Sequence, residues 1–196
     1  MVKRIGILGD IGSGKSLVAR QFNCPVFNAD KEVNKIYKKD ASCFRKLKNK
    51  LPKYIKTYPL NKSEISEAIL ANKNNIRIIA SIVHPIVRKR MNFFFKRNAK
   101  KKIIVLDIPL LIENNLKKKK YILIFVDSKK SKIIAFLKKR KNYNKKIIEK
   151  LRKFQKNLSY KKKLSTYIIK NDFKLLTIKK RVKFIKKRIL NERNSS

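Results

Sequence analysis

The chain has 196 residues, enough for one compact domain with a real core, and its 43% hydrophobic content excludes a disordered chain. Lysine and arginine number 55 against 12 acidic residues, a formal net charge of +43. Lysine is spread from end to end among many Ile and Asn residues, and no aromatic–basic interleaving marks an RNA-binding signature. The charge therefore reads as compositional bias, with salt-sensitive adhesion to polyanions as its expected consequence and no specific nucleic-acid partner. Cys24 and Cys43 lack metal-ligand spacing and fit reduced thiols. The apolar runs have strand length, too short for a membrane span, and no signal peptide precedes the first strand, so a soluble cytoplasmic protein is expected.

In chain order, Ile5, Ile7 and Leu8 form a short strand that runs into Gly9-Asp10-Ile11-Gly12-Ser13-Gly14-Lys15-Ser16, a full match to GxxxxGK[ST]. Leu17, Val18, Ala19 and Phe22 follow at helical spacing. Strand, glycine turn and helix start are the setting of a phosphate-binding loop. Glycines let successive N–H groups turn inward, and the helix N-terminus adds its positive end. Lys15 can reach the β- and γ-phosphates of a nucleotide, and the Ser16 hydroxyl can ligate Mg²⁺.

Residues 25–27 read as a second strand that leads to Asp30. A carboxylate at a strand's carboxyl end can take a proton from an attacking hydroxyl, or it can cap the next helix. From residue 31 to about 98 the pattern is helical and basic, with a helix starting near Ser63 and another over 76–96 that Pro85 is expected to interrupt. The run Ile103-Ile104-Val105-Leu106 reads as a central parallel strand ending in Asp107, either a Mg²⁺ or substrate contact or a turn residue. A further strand over 121–126 ends in Asp127. Helices are expected over 131–140 and 144–156, then a strand over 167–169 and a helix around 178–190. Arg140, at the end of the helix after the fourth strand, reads either as a lid arginine for a transferring phosphoryl group or as a solvated residue. Alternating strands and helices predict an α/β, three-layer fold with a parallel five-stranded sheet. The whole chain, 1–196, reads as one domain with a helical insertion at about 35–98 and a lid at about 129–157. No NKxD guanine-reading motif is present, which disfavours a GTPase. A small-molecule kinase fits best, with a kinase of another small acceptor and a basic nucleic-acid binder as the rivals.

Taken together, these residues resemble the dephospho-CoA kinase family. GILGDIGSGKSL is similar to that family's GxTGGIGSGKST, and Val26-Phe27-Asn28-Ala29-Asp30 to its V-x-DAD. His84-Pro85 matches its HP dipeptide, and Asp107-Ile108-Pro109-Leu110-Leu111-Ile112-Glu113 its D-x-PLL-x-E. Arg140, Gln155 and Asn171 fall on its lid arginine, a following glutamine and a late asparagine. The resemblance implies transfer of the ATP γ-phosphoryl group to the ribose 3′-hydroxyl of dephospho-CoA, with Mg²⁺. It implies Asp30 as base and Lys15 and Arg140 as stabilisers of the migrating group. Gly12, Ser13, Gly14, Lys15, Ser16 and Leu17, with Asn171, would form the ATP side, and Ser16 would carry the metal. His84, Asp107, Leu110, Leu111 and Glu113 would form the acceptor side, with His84 positioning substrate or making a structural hydrogen bond. The chain departs from the pattern at Asp10, Leu17, Asn28, Lys62, Ile133, Phe136, Ser165-Thr166 and Phe173. Asp10 puts negative charge beside phosphates and is expected to point outward.

Overall fold

The computed structural model describes residues 2–108, 121–140 and 143–191. In chain order the described elements are β1 (Lys3–Gly9), α1 (Lys15–Gln21), β2 (Val26–Asn28), α2 (Ala29–Lys39), α3 (Ala41–Lys50), α4 (Lys62–Ala71), α5 (Lys73–Arg97), β3 (Ile103–Asp107), β4 (Ile122–Asp127), α6 (Lys130–Lys138), α7 (Lys145–Lys153), α8 (Leu158–Lys163), β5 (Tyr167–Lys170) and α9 (Leu175–Asn191). The chain divides into two compact units. One comprises Met1–Asn28, Asn98–Tyr143 and Arg152–Ser196, and the other Ala29–Arg97 with Asn144–Leu151.

The first unit is a five-stranded sheet in the order β2-β3-β1-β4-β5, with every pairing parallel. Parallel strands buried on both faces need near-continuous apolar sequence, and β3, IIVLD, is buried at every position. On one face Ile5, Ile7, Val105, Ile124 and Val126 pack against Val18 and Ala19 of α1, Phe22 directly after it, and Ile178, Val182, Ile185 and Ile189 of α9. The α9 residues recur at the spacing that gives a helix one apolar stripe. Phe125 alternates with Ile124 and Val126, so it faces the other side of the sheet, where it shares a cavity with Ile133 of α6 and Leu158 of α8. The expected α/β fold with a five-stranded parallel sheet is the one observed.

The second unit is helical. Ile36, Leu47, Ile55, Ile65, Ala68, Ile79 and Val83 form its core with Cys43, which is buried and free. Asp40 caps α3 by accepting from the Cys43 N–H at 2.9 Å, and Asn61 caps α4 by accepting from the Ser63 N–H at 3.0 Å. Burial alone would raise the Glu32 carboxyl, but hydrogen bonds from Lys35 and Arg90 overcome it and hold the group below its ordinary range. The Arg90 bond, 3.1 Å, ties α2 to α5.

Two local expectations are corrected. α5 runs unbroken through Pro85, because Ile79 and Val83 before the proline and Ile86 and Val87 after it pack on the same core, which outweighs one lost main-chain bond. The helix expected over 144–156 stops at Lys153, and α8 follows as a separate element. Asn157 starts it by accepting from the Ser159 N–H at 2.8 Å. Among the described residues no helix is long and apolar enough to cross a membrane.

Candidate active site

In the sheet unit, the turn from β1 into α1 is shaped by close approach of distant residues. Gly12 has φ +84°, and a Cβ there would lie 2.6 Å from Leu137 Cγ of α6. Gly14 has φ +87°, and a Cβ there would lie 2.2 Å from Asn171 Nδ2. Only glycine satisfies both the conformation and the space. The Ser13 carbonyl, carried by this strained segment, accepts from Asn171 Nδ2 at 2.7 Å and from Ser128 Oγ at 2.8 Å. Asn171 Oδ1 in turn accepts from the Phe173 N–H at 2.8 Å. The main chain of the loop is thus held from the ends of β4 and β5. The loop leads directly into the first turn of α1, whose leading N–H groups the helix itself does not pair. Backbone donors and a helix dipole preset in this way suit a phosphate chain.

Lys15 is buried, with its ammonium donating to the carbonyls of Asp10 at 2.7 Å and Gly9 at 3.3 Å. Ser16 and Leu17 are half-buried in the first turn of α1. Asn171 is 4% exposed, so the side chain assigned to the nucleotide on sequence is engaged with the loop's own main chain.

Asp10 does not point outward. Its carboxylate is 14% exposed, accepts from the Ile11 N–H at 2.6 Å, and meets Arg152 in a two-pronged ion pair. Sequence reading missed Arg152. The available signal was Asp10 itself, since an acid in a phosphate loop requires a cation. A cavity of about 530 Å³ adjoins this pair, and Ser13 and Gln155 are among its lining residues. Ser13 Oγ and Gln155 Nε2 are buried there with no hydrogen-bond partner.

Asp107, at the end of β3, is buried and accepts a hydrogen bond from Asn28 Nδ2 at the end of β2, its partner in the strand register. The two departures ahead of the lid also have definite places. Ile133 is buried, and Phe136 lies against Phe173 with ring centroids 4.8 Å apart. Arg140 follows α6, is exposed, and carries its guanidinium 5.5 Å from the Phe136 ring centre. Leu110, Leu111 and Glu113 lie outside the described residues.

Two candidates belong to the helical unit. α2 begins at Ala29, directly after β2, so Asp30 is an exposed first-turn residue and not the cap residue. His84 is half-buried on α5, and burial, with Arg88 as the second cause, pushes its imidazole below its ordinary value. It is thereby kept neutral, able to donate or accept a hydrogen bond but poorly suited to carry charge.

Comparison with known proteins places this geometry. A family described as dephospho-CoA kinase matches residues 3–177. A dephospho-CoA kinase of Wolbachia pipientis is 30% identical over 170 residues, covering 84% of this chain and 87% of the relative. One from Streptococcus agalactiae is 32% identical over 197 residues, covering 93% and 96%. In structure, the chain is similar to dephospho-CoA kinase from Campylobacter jejuni, with a TM-score of 0.66 at 19% identity over 96% of this chain and 98% of that one. It is also similar to shikimate kinase from Acinetobacter baumannii, with a TM-score of 0.57 at 13% identity over 100% and 97%. These two likenesses carry the fold, and the sequence matches carry more: the chain belongs to the dephospho-CoA kinase family, enzymes of coenzyme A biosynthesis that phosphorylate dephospho-CoA.

Proposed function

We propose that the protein transfers the γ-phosphoryl group of ATP to the ribose 3′-hydroxyl of dephospho-CoA, in the cytoplasm, giving coenzyme A and ADP. The observation that carries this reading is the phosphate loop, whose Ser13 carbonyl is pinned by Asn171 and Ser128 while the buried Lys15 ammonium donates to the loop's Asp10 carbonyl. Such a loop is organised before the nucleotide arrives, and phosphoryl transfer depends chiefly on positioning and charge.

In this mechanism the main-chain amides of the loop and of the start of α1 hold the α- and β-phosphates, and Lys15 exchanges loop carbonyls for β- and γ-phosphate oxygens. Asp30 accepts the proton of the 3′-hydroxyl as its oxygen bonds to the γ-phosphorus. The bond from that phosphorus to the β–γ bridging oxygen breaks, and ADP leaves with the electron pair. Arg140 stabilises charge on the migrating group together with Lys15. The all-oxygen donor set of the Ser16 hydroxyl and the Asp107 carboxylate fits Mg²⁺, which binds through few protein ligands plus substrate phosphates. When bound, the metal would be held by Ser16 and Asp107 and would offset the negative charge of the phosphate oxygens.

His84, Asp107, Leu110, Leu111 and Glu113 form the acceptor side in this reading. The segment at about 35–98 receives the acceptor, and 129–157 acts as a lid that excludes water. Incubation with ATP, Mg²⁺ and dephospho-CoA, with products resolved by mass, tests the assignment. Coenzyme A and ADP should form in equal amounts. Consumption of a different acceptor while dephospho-CoA is left intact would defeat it.

A further inference from the structure

We propose that Phe136 and Phe173 form an aromatic ledge beside the phosphate loop that stacks the base of the nucleotide donor, so that the base is held largely by its ring face. The inference rests on the nucleotide-loop reading above and adds two residues that determine how the donor is recognised.

Phe173 is a bulky residue at φ +65°, a backbone conformation that costs free energy for anything but glycine. Its N–H is held by Asn171 Oδ1, and the same asparagine holds the Ser13 carbonyl, so the main chain of Phe173 is tied to the loop by two hydrogen bonds in series. Its Cε1 lies 3.4 Å from where a Cβ on Gly14 would be, which places the ring against the start of α1. Phe136 comes up from α6 to meet it, with ring centroids 4.8 Å apart and planes inclined by 31°. The Arg140 guanidinium lies 5.5 Å from the Phe136 ring centre, so this aromatic pair adjoins the arginine proposed to act on the migrating group. Neither ring belongs to the main core of the sheet unit, and both are half-buried.

Two rings outside the core, one of them against Gly14 of the loop proposed to grip a triphosphate, put aromatic surface beside that loop. A nucleoside leaving the cradle on this side meets aromatic faces first. Every nucleobase has such a face, so stacking of this kind tolerates different bases.

The test uses the full chain and displacement of a fluorescent ATP analogue by ATP, by GTP and by inorganic triphosphate. Phe173→Gly removes one ring at a position whose backbone suits glycine, and Phe136→Leu removes the other while keeping an apolar helix-forming residue. Each variant should weaken ATP and GTP about tenfold and leave inorganic triphosphate within about twofold of wild type. Equal loss for nucleotide and triphosphate would mean that the rings only shape the loop, and unchanged ATP affinity in both variants would mean that they touch no base. Either result overturns the ledge while the nucleotide loop stands. A wild-type protein that binds neither ATP nor triphosphate would remove the loop reading, and the ledge with it.

Discussion

The guanidinium of Arg152 closes on the carboxylate of Asp10, with Nη2 2.8 Å from Oδ2 and Nε 3.2 Å from Oδ1. This pair makes an acidic residue tolerable in a loop that must hold phosphates. The side chains are 31% and 14% exposed, so the interaction is only partly screened by solvent. Arg152→Ala should leave a negative charge facing the nucleotide and weaken ATP binding about tenfold, a loss of about 1.4 kcal/mol. Adding Asp10→Gly should restore much of the loss. A double-mutant cycle on ATP affinity should return a coupling of about 1–2 kcal/mol, whereas strict additivity would show that the pair is irrelevant to binding.

Asp30→Asn keeps the size and first-turn position of the side chain but removes its basicity. Turnover should fall about 10²- to 10⁴-fold, the range for a general base. ATP affinity, which depends on the phosphate loop, should stay near wild type. Steady-state rates with equilibrium nucleotide binding separate the two effects. Near-normal turnover would move the proton to another acceptor.

Asn171→Ala removes the amide that donates to the Ser13 carbonyl at 2.7 Å and fills the space beside Gly14. Ser128 alone would then hold that carbonyl. The variant should lose about 1–3 kcal/mol of stability, read as a lowered denaturation midpoint, and should bind inorganic triphosphate more weakly. Loss of stability with triphosphate affinity unchanged would show that the loop keeps its shape without this clamp.

His84 is the one histidine of the chain, so its imidazole protons can be followed by NMR without assignment ambiguity. Burial, then Arg88, lowers its pKa from the ordinary 6.5. The unfolded chain therefore binds more protons than the native one across the interval below 6.5, and native stability should fall as pH drops through it. His84→Gln should flatten that part of the stability profile. A titration midpoint at or above 6.5 would contradict the burial account.

The phosphate loop, Lys15, Ser16 and the apolar strands were legible in the residues because each depends on local properties. A strand buried on both faces must be apolar, a helix shows its stripe, and main-chain amides pointed at an anion need glycine nearby. The reading faltered where local rules compete with packing. Pro85 looked like a break, yet core contacts on both sides of it carry α5 through. A single helix was expected over 144–156, yet the Asn157 cap starts a second one.

What the sequence by itself determined is the sheet-and-loop framework and the family to which the chain belongs. Tertiary structure alone decided which side chains complete the loop. Arg152 reaches Asp10 across 142 positions, Asn171 reaches Ser13 across 158, and Phe136 meets Phe173. The physical reason is strand order. With β4 beside β1 and β5 beside β4, the segments that follow those strands converge on the turn after β1. No local pattern encodes which distant residues will become its neighbours.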